Sequence, residues 1–241
     1  VGAPMTRGSR GAAYVFSRPR ADAPWGEVTI LRSATRREGD EFGAAVAIDG
    51  EFVLVGSPGR AATGAVVVFR LLAGAWMEVA TIEGSGVSLS ERFGSALALE
   101  GDRLLVGAPG PFPGPLPGDA TVPLPGSAYV FDLSAGRFVE SARLASEEDG
   151  PGAFGQAVVL DGDDAFVGAP LRNQLSGVVH HFMLYGSATW TEGPSIAAAT
   201  AAPGSGFGMS VSYASGDLWV GAPLGGGAYV FRRPGSGEGQ E

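Results

Sequence analysis

The chain contains no cysteine and no lysine, and only two histidines. Without thiols it forms neither disulfides nor thiolate metal sites, which leaves its compartment open. No apolar run approaches the roughly 18 residues that a membrane-spanning helix needs. No stretch of helical period is long enough to build a core. All 16 basic residues are arginine, and the formal net charge is −9. Residues 1–37 hold seven arginines against Asp22 and Glu27, a local +5 that reads as the solvated edge of a sheet. An acidic protein with scattered arginine is a poor nucleic-acid binder. No Gly-x-Ser-x-Gly precedes a helix, so a hydrolase triad has no support. Gly225-Gly226-Gly227 lacks the lysine of a phosphate loop.

What the chain does have is glycine and proline, 40 and 17 residues, placed at fixed points. Phe42-Gly43 runs through Val46-Ala47-Ile48-Asp49-Gly50 to Phe52-Val53-Leu54-Val55-Gly56-Ser57-Pro58. The pattern returns from Phe93-Gly94 to Gly107-Ala108-Pro109, from Phe154-Gly155 to Gly168-Ala169-Pro170, and from Phe207-Gly208 to Gly221-Ala222-Pro223. From Phe to Pro the separation is 16 residues in all four copies. Only a rigid supersecondary unit keeps a spacing that constant, and repeats of this length indicate a solenoid, propeller or array. An earlier Val1-Gly2-Ala3-Pro4 is the tail of one more unit. The chain thus opens inside a repeat and reads as an arc of a larger structure, and the lack of a leader says nothing about export.

Each unit holds four β-rich runs. The first three are almost continuously apolar, as strands covered on both faces are. The fourth is led by an aromatic residue (Trp25, Trp76, Phe138 or Trp190) and alternates, as in Phe138-Val139-Glu140-Ser141-Ala142-Arg143-Leu144, which suits a strand with one face in solvent. The expected fold is all-β, a β-propeller of four-stranded antiparallel blades with strand 1 innermost and strand 4 outermost. Pairs such as Asp49-Gly50 and Glu100-Gly101 mark tight hairpins between strands 1 and 2. Complete blades are expected at 42–83, 93–144 and 154–196, partial blades at 1–33 and 207–233, and a flexible tail at 234–241. A five-bladed ring made by pooling the ends would leave one strand redundant.

Phe-Gly followed by Gly-Ala-Pro resembles the FG-GAP repeat, the unit of the integrin α-chain N-terminal propeller and of many bacterial surface and secreted proteins. The resemblance covers essentially the whole chain. It implies a seven-bladed propeller in complete members and an extracellular or cell-surface setting. It also implies binding or adhesion through the face that bears the 2–3 and 4–1 loops. Integrin-like repeats often bind Ca²⁺ in an Asp-rich loop between strands 1 and 2, but here that connection is a tight hairpin. Asp161, Asp163 and Asp164 are the nearest approach, and they read as solvated turn carboxylates. No cofactor is expected.

Loop length varies in one place above all, between the Pro and strand 3, and variable loops on a fixed scaffold are where recognition usually resides. Arg60, Phe112 and Arg172-Asn173-Gln174 lie in 2–3 loops, and Glu147-Glu148-Asp149 in a 4–1 loop; these are the candidate contact residues. Phe42, Gly43, Gly56, Pro58, Phe93, Gly94, Gly107, Pro109, Phe154, Gly155, Gly168, Pro170, Phe207, Gly208, Gly221 and Pro223 are structural. His180 and His181 are neighbours on a strand, so they point to opposite faces and cannot serve one metal or one reaction. The expectation is a non-enzymatic recognition or adhesion module for a protein or glycan ligand, with no nucleic acid and no membrane insertion. A purely structural array in a large surface protein is the main rival, and an enzyme with a site on the loop face is the third reading.

Overall fold

The computed structural model describes residues 1–111, 125–146, 152–186 and 189–232. Phe112, Glu147, Glu148, Asp149 and the expected tail at 234–241 lie outside the described residues. The first sheet holds β1 (Gly2–Ala3), β2 (Ala12–Ser17) and β3 (Gly26–Leu31). The second holds β4 (Val46–Asp49), β5 (Phe52–Ser57), β6 (Ala65–Leu72) and β7 (Ala75–Ile82). The third holds β8 (Ala96–Glu100), β9 (Arg103–Ala108), β10 (Ser127–Ser134) and β11 (Arg137–Leu144). The fourth holds β12 (Ala157–Asp161), β13 (Asp164–Ala169), β14 (Val178–Tyr185) and β15 (Thr189–Glu192). The fifth holds β16 (Ser210–Ala214), β17 (Asp217–Ala222) and β18 (Gly227–Arg232). Within each sheet, sequential strands are antiparallel neighbours.

The inner strands β4, β8, β12 and β16 pack against one another in succession, which makes strand 1 the axis side of every sheet that has one. This is the blade order of a partial β-propeller. Each Phe-to-Pro segment folds as the two inner strands, and no helix interrupts any of the four. The one-turn helical segments Thr6–Ser9 and Arg172–Leu175 fall in 2–3 loops instead.

The apolar residues form four clusters, one in each seam between consecutive sheets. Ala13 and Leu31 of the first sheet meet Phe42, Val53, Val55, Val67 and Phe69 of the second. The next three seams repeat this arrangement. Phe42, Phe93, Phe154 and Phe207 are completely or almost completely buried. Each lies edge-on to strand-3 rings of its own sheet, for example Phe93 at 5.3 Å from Tyr129 and 6.0 Å from Phe131. Each also bridges in parallel to the glycine that opens strand 3 of the preceding sheet, Phe93 to Gly64 and Phe154 to Gly126. The glycines of the motif are sites of backbone contact. A Cβ on Gly107 would stand 2.0 Å from the carbonyl oxygen of Gly155, and Gly155 itself has φ +95°. Any side chain there would push two sheets apart.

Two expectations are corrected. The inner strand β4 is not covered on both faces. Ile48 is 62% exposed, whereas its counterpart Leu160 is buried. β4 lies beside the first sheet, whose described strands are β1, β2 and β3, whereas β12 is flanked by β8. Of the carboxylates read as solvated, Asp163 stays largely exposed but Asp164 is mostly buried against His181. Asp49 Oδ2 accepts from Gly101 N–H at 2.7 Å, and Glu100 Oε2 from Gly162 N–H at 2.9 Å. Asp49 and Glu100 thus each cap the hairpin of the next sheet. Asp163 pairs with Arg103 at 3.6 Å, and Asp164 with His181 Nε2 at 2.6 Å.

Candidate functional site

The 2–3 and 4–1 loops open at the same end of every sheet, and backbone hydrogen bonds lace them into one rim. Within a sheet, Gly59 N–H donates to Asp40 O, Gly110 N–H to Glu91 O, and Leu171 N–H to Gly152 O. Between sheets, Gly39 N–H donates to Gly8 O, Ser90 N–H to Ala62 O, and Gly204 N–H to Gln174 O. The 4–1 loops before the second and third sheets are therefore each tied both to the 2–3 loop before and to the one after. Non-glycine residues with positive φ concentrate here: Ser9, Glu41, Ala61, Ala62, Ser90, Arg92, Ala153, Asn173, Gln174 and Leu175. Among the described residues only Ala73, Ala135 and Ser215 lie elsewhere, each in a hairpin turn. A left-handed residue other than glycine costs about 1–3 kcal/mol and persists only where its surroundings hold it, which happens most often at binding sites.

The predicted contact residues take different roles. Asn173 and Gln174 are exposed at a left-handed turn, φ 51° and 58°. Arg172 turns inward instead. It is 7% exposed and lies so close to Gly152 that a Cβ there would be 2.4 Å from its Nε. Arg60 reaches back to the preceding 4–1 loop, donating to Thr35 Oγ1 at 2.8 Å and Ser33 Oγ at 3.5 Å, so it braces the rim. Sequence reasoning missed the aliphatic side chains that stand out from the rim: Met5 and Leu89, both 72% exposed, with Leu175 and Leu224. Their irregular spacing in loops of unequal length carries no periodic signal.

A depression of about 430 Å³ lies on the same side, lined by Ala44, Ser95, Gln156, Pro58, Pro109 and Arg92. Ala44, Ser95 and Gln156 each follow a Phe-Gly pair, so three sheets contribute equivalent positions. Arg92 forms an ion pair with Glu41 across the seam.

A second recurring feature was overlooked. The aromatic that opens strand 4 is followed two residues later by glutamate: Glu27, Glu78, Glu140 and Glu192. A β-bulge after Val15, Val68 or Val130 sets the first three opposite the strand-3 phenylalanine. Glu78 then accepts from Ser33 Oγ at 3.1 Å and Ala34 N–H at 3.2 Å, on the loop leaving the preceding sheet. Glu140 does the same with Ser85, N–H at 2.7 Å and Oγ at 2.5 Å. These carboxylates latch the outer edges of neighbouring sheets. In the fourth sheet, strand 4 ends at Glu192 because Gly193-Pro194 follows, and Glu192 binds His180 Nδ1 at 2.7 Å.

The two histidines do face opposite seams. His180 is fully buried, with its ring centroid 5.1 Å from that of Phe154. His181 stacks on Phe166 at 4.6 Å and 9°. Each imidazole is hydrogen-bonded to a carboxylate, His180 to Glu192 and His181 to Asp164, and among the described residues neither meets a hydroxyl that it might activate. Tyr129, at the position of His180 one sheet earlier, is pushed up to about 12, first by burial and then by the charge of Glu91. Among the described residues no group of three or more His, Asp or Glu is gathered as for a metal ion. No described helix is long and apolar enough to cross a membrane.

Comparison with known families agrees with this geometry. The family described as FG-GAP repeat matches residues 25–69 and 76–131. No curated protein matches the chain.

Proposed function

We propose, for a chain that carries FG-GAP repeats, a non-enzymatic recognition module that binds a protein partner through its rim. Repeats of this kind build propeller modules often involved in adhesion or protein binding, typically at the cell surface or outside it. The observation that carries the reading is the set of exposed aliphatic residues, Met5, Leu89, Leu175 and Leu224, on a backbone held by inter-loop hydrogen bonds. Large apolar side chains that leave water are the usual anchors of protein interfaces, and a preformed rim reduces the entropy lost on binding. An aliphatic rim suits a protein better than a glycan, whose polar hydroxyls call for hydrogen-bonding side chains and flat aromatic surfaces. The seams and latches provide rigidity, and the 2–3 and 4–1 loops provide contact.

The test is an array of purified extracellular proteins and glycans probed with the chain and with the triple variant Leu89→Ser, Leu175→Ser, Leu224→Ser. Protein binding reduced about tenfold or more in the variant, at unchanged melting temperature, is the expected result. Glycan-only binding, or protein binding that the variant retains in full, would overturn the proposal. The structural-array reading also has an observation in its favour. The fifth sheet presents Trp219 and Val230, both half-exposed, on its outward face.

A further inference from the structure

We propose that one half of the rim, centred on the 4–1 loop between the first and second sheets, docks an acidic segment of the protein partner. The inference rests on the rim being the binding face, as proposed above, and adds the chemistry of what that face takes. Four successive loops make up this half: 5–11, 32–41, 58–63 and 85–92. They are tied in order, Gly39 N–H to Gly8 O at 3.2 Å, Arg60 Nη2 to Thr35 Oγ1 at 2.8 Å, and Ser90 N–H to Ala62 O at 2.6 Å. Together they hold seven arginines against Glu38, Asp40, Glu41 and Glu91, in a chain whose net charge is −9. The rim loops 193–206 and 223–226 hold no charged residue. The positive charge of the rim is thus gathered at one end.

Three of the four carboxylates are already engaged. Asp40 is buried and accepts from Arg37 N–H at 2.7 Å, Glu91 is buried and accepts from Ser88 N–H at 3.0 Å, and Glu41 pairs with Arg92. The guanidinium groups are not neutralised to the same extent. Arg32 and Arg37 are exposed, and among the described residues neither side chain takes part in a hydrogen bond or ion pair. Arg36 Nη1 donates to Ser33 O at 2.9 Å and Arg60 Nη1 to Ser33 Oγ at 3.5 Å, so two guanidinium groups converge on one serine. Glu78 accepts from the same hydroxyl at 3.1 Å, which sets one carboxylate against the two cations. Exposure at the place of Arg32 is general: Glu83 and Ala145, its counterparts after the next two sheets, are exposed as well.

The surroundings define the chemistry of the occupant. A guanidinium group donates two parallel N–H bonds to a carboxylate, a geometry that carries direction as well as charge. Positive charge gathered on one part of an interface speeds the encounter with a negative partner and fixes its register. Apolar side chains flank the arginines on both sides, Met5 in the first of the four loops and Leu89 in the last, each 72% exposed. A peptide segment with acids set among aliphatic residues matches both features. A sulfated glycan would match the arginines alone.

The test titrates a short synthetic peptide of repeated Glu-Glu-Leu into the intact chain by calorimetry, beside its Gln-Gln-Leu counterpart and a heparin-derived oligosaccharide. Saturable binding of the Glu peptide is expected, weakened about tenfold or more between about 0.05 and about 0.5 M salt. The double variant Arg32→Glu, Arg37→Glu should weaken it about tenfold or more. Both side chains are exposed, so the melting temperature should not move. The variant Leu175→Ser, Leu224→Ser, changed at the uncharged end of the rim, should bind the Glu peptide as the parent chain does. No saturable binding, equal binding of the Gln peptide or by the arginine variant, or tighter binding of the oligosaccharide would overturn the inference. The protein array separates this failure from that of the function proposed above. A protein whose binding is lost with Leu89, Leu175 and Leu224 but kept in full by the arginine variant would sink the acidic segment and leave the recognition rim standing.

Discussion

The seams and the rim of this molecule are built from the same chain under opposite rules. In the seams, four copies place the same residue types in the same contacts: a buried phenylalanine, a glycine against a glycine carbonyl, and a strand-3 aromatic edge-on to the phenylalanine. In the rim the copies share backbone bonds but not side chains, and loop length is free to vary. Each sheet packs mainly against its neighbours, so stability is approximately a sum of sheet and seam contributions. A seam position cannot change without cost to two sheets, whereas a rim side chain faces water and can.

That contrast gives an order of effects. Phe93→Ala empties the centre of the seam between the second and third sheets and should cost about 3–5 kcal/mol in chemical denaturation. Leu89→Ser, four residues away but on the rim, should stay within about 0.5 kcal/mol. Gly107→Ala should cost about 1–3 kcal/mol, because its Cβ would fall 2.0 Å from Gly155 O and the sheets would have to separate. Glu140→Ala removes the acceptor of two bonds from Ser85 and should cost about 1–2 kcal/mol, with faster exchange at the Ser85 amide as the specific readout.

A smaller effect is read by pH. Tyr129 is pushed up from 10.0 to about 12 in the folded chain. Its contribution to stability is fully present below the unfolded value and is lost as the pH rises through the folded one. Alkaline melts should therefore show a decline between about pH 10 and 12 that Tyr129→Phe blunts. A decline of equal steepness in the variant would assign it to other groups.

The seams were legible in the sequence because they repeat. The 16-residue spacing fixed the inner hairpins, and the switch from continuous to alternating polarity placed strand 4 outside. Three things were not legible. Burial of an inner strand depends on which strand lies next to it, and Ile48 and Leu160 are alike in sequence but differ in that neighbour. The Glu78 and Glu140 latches were hidden inside the alternation of strand 4, where a polar residue is expected anyway. Only the recurrence of glutamate two residues after the aromatic marks them, and a β-bulge turns them toward the seam. On the rim, Arg60 and Arg172 have the same chemistry as free contact residues, and only coordinates show that one braces a loop and the other is buried.

The division between seam and rim is tested most directly by native-state hydrogen exchange read amide by amide. The amides of Gly43, Gly94, Gly155 and Gly208 each donate to a strand-2 glycine carbonyl at 2.9–3.1 Å and should be among the slowest to exchange. Amides at the rim tips, such as those of Gly86 and Asn173, should exchange orders of magnitude faster while the seams stay closed. Uniform exchange across both sets, or faster exchange at the four glycines, would contradict the account.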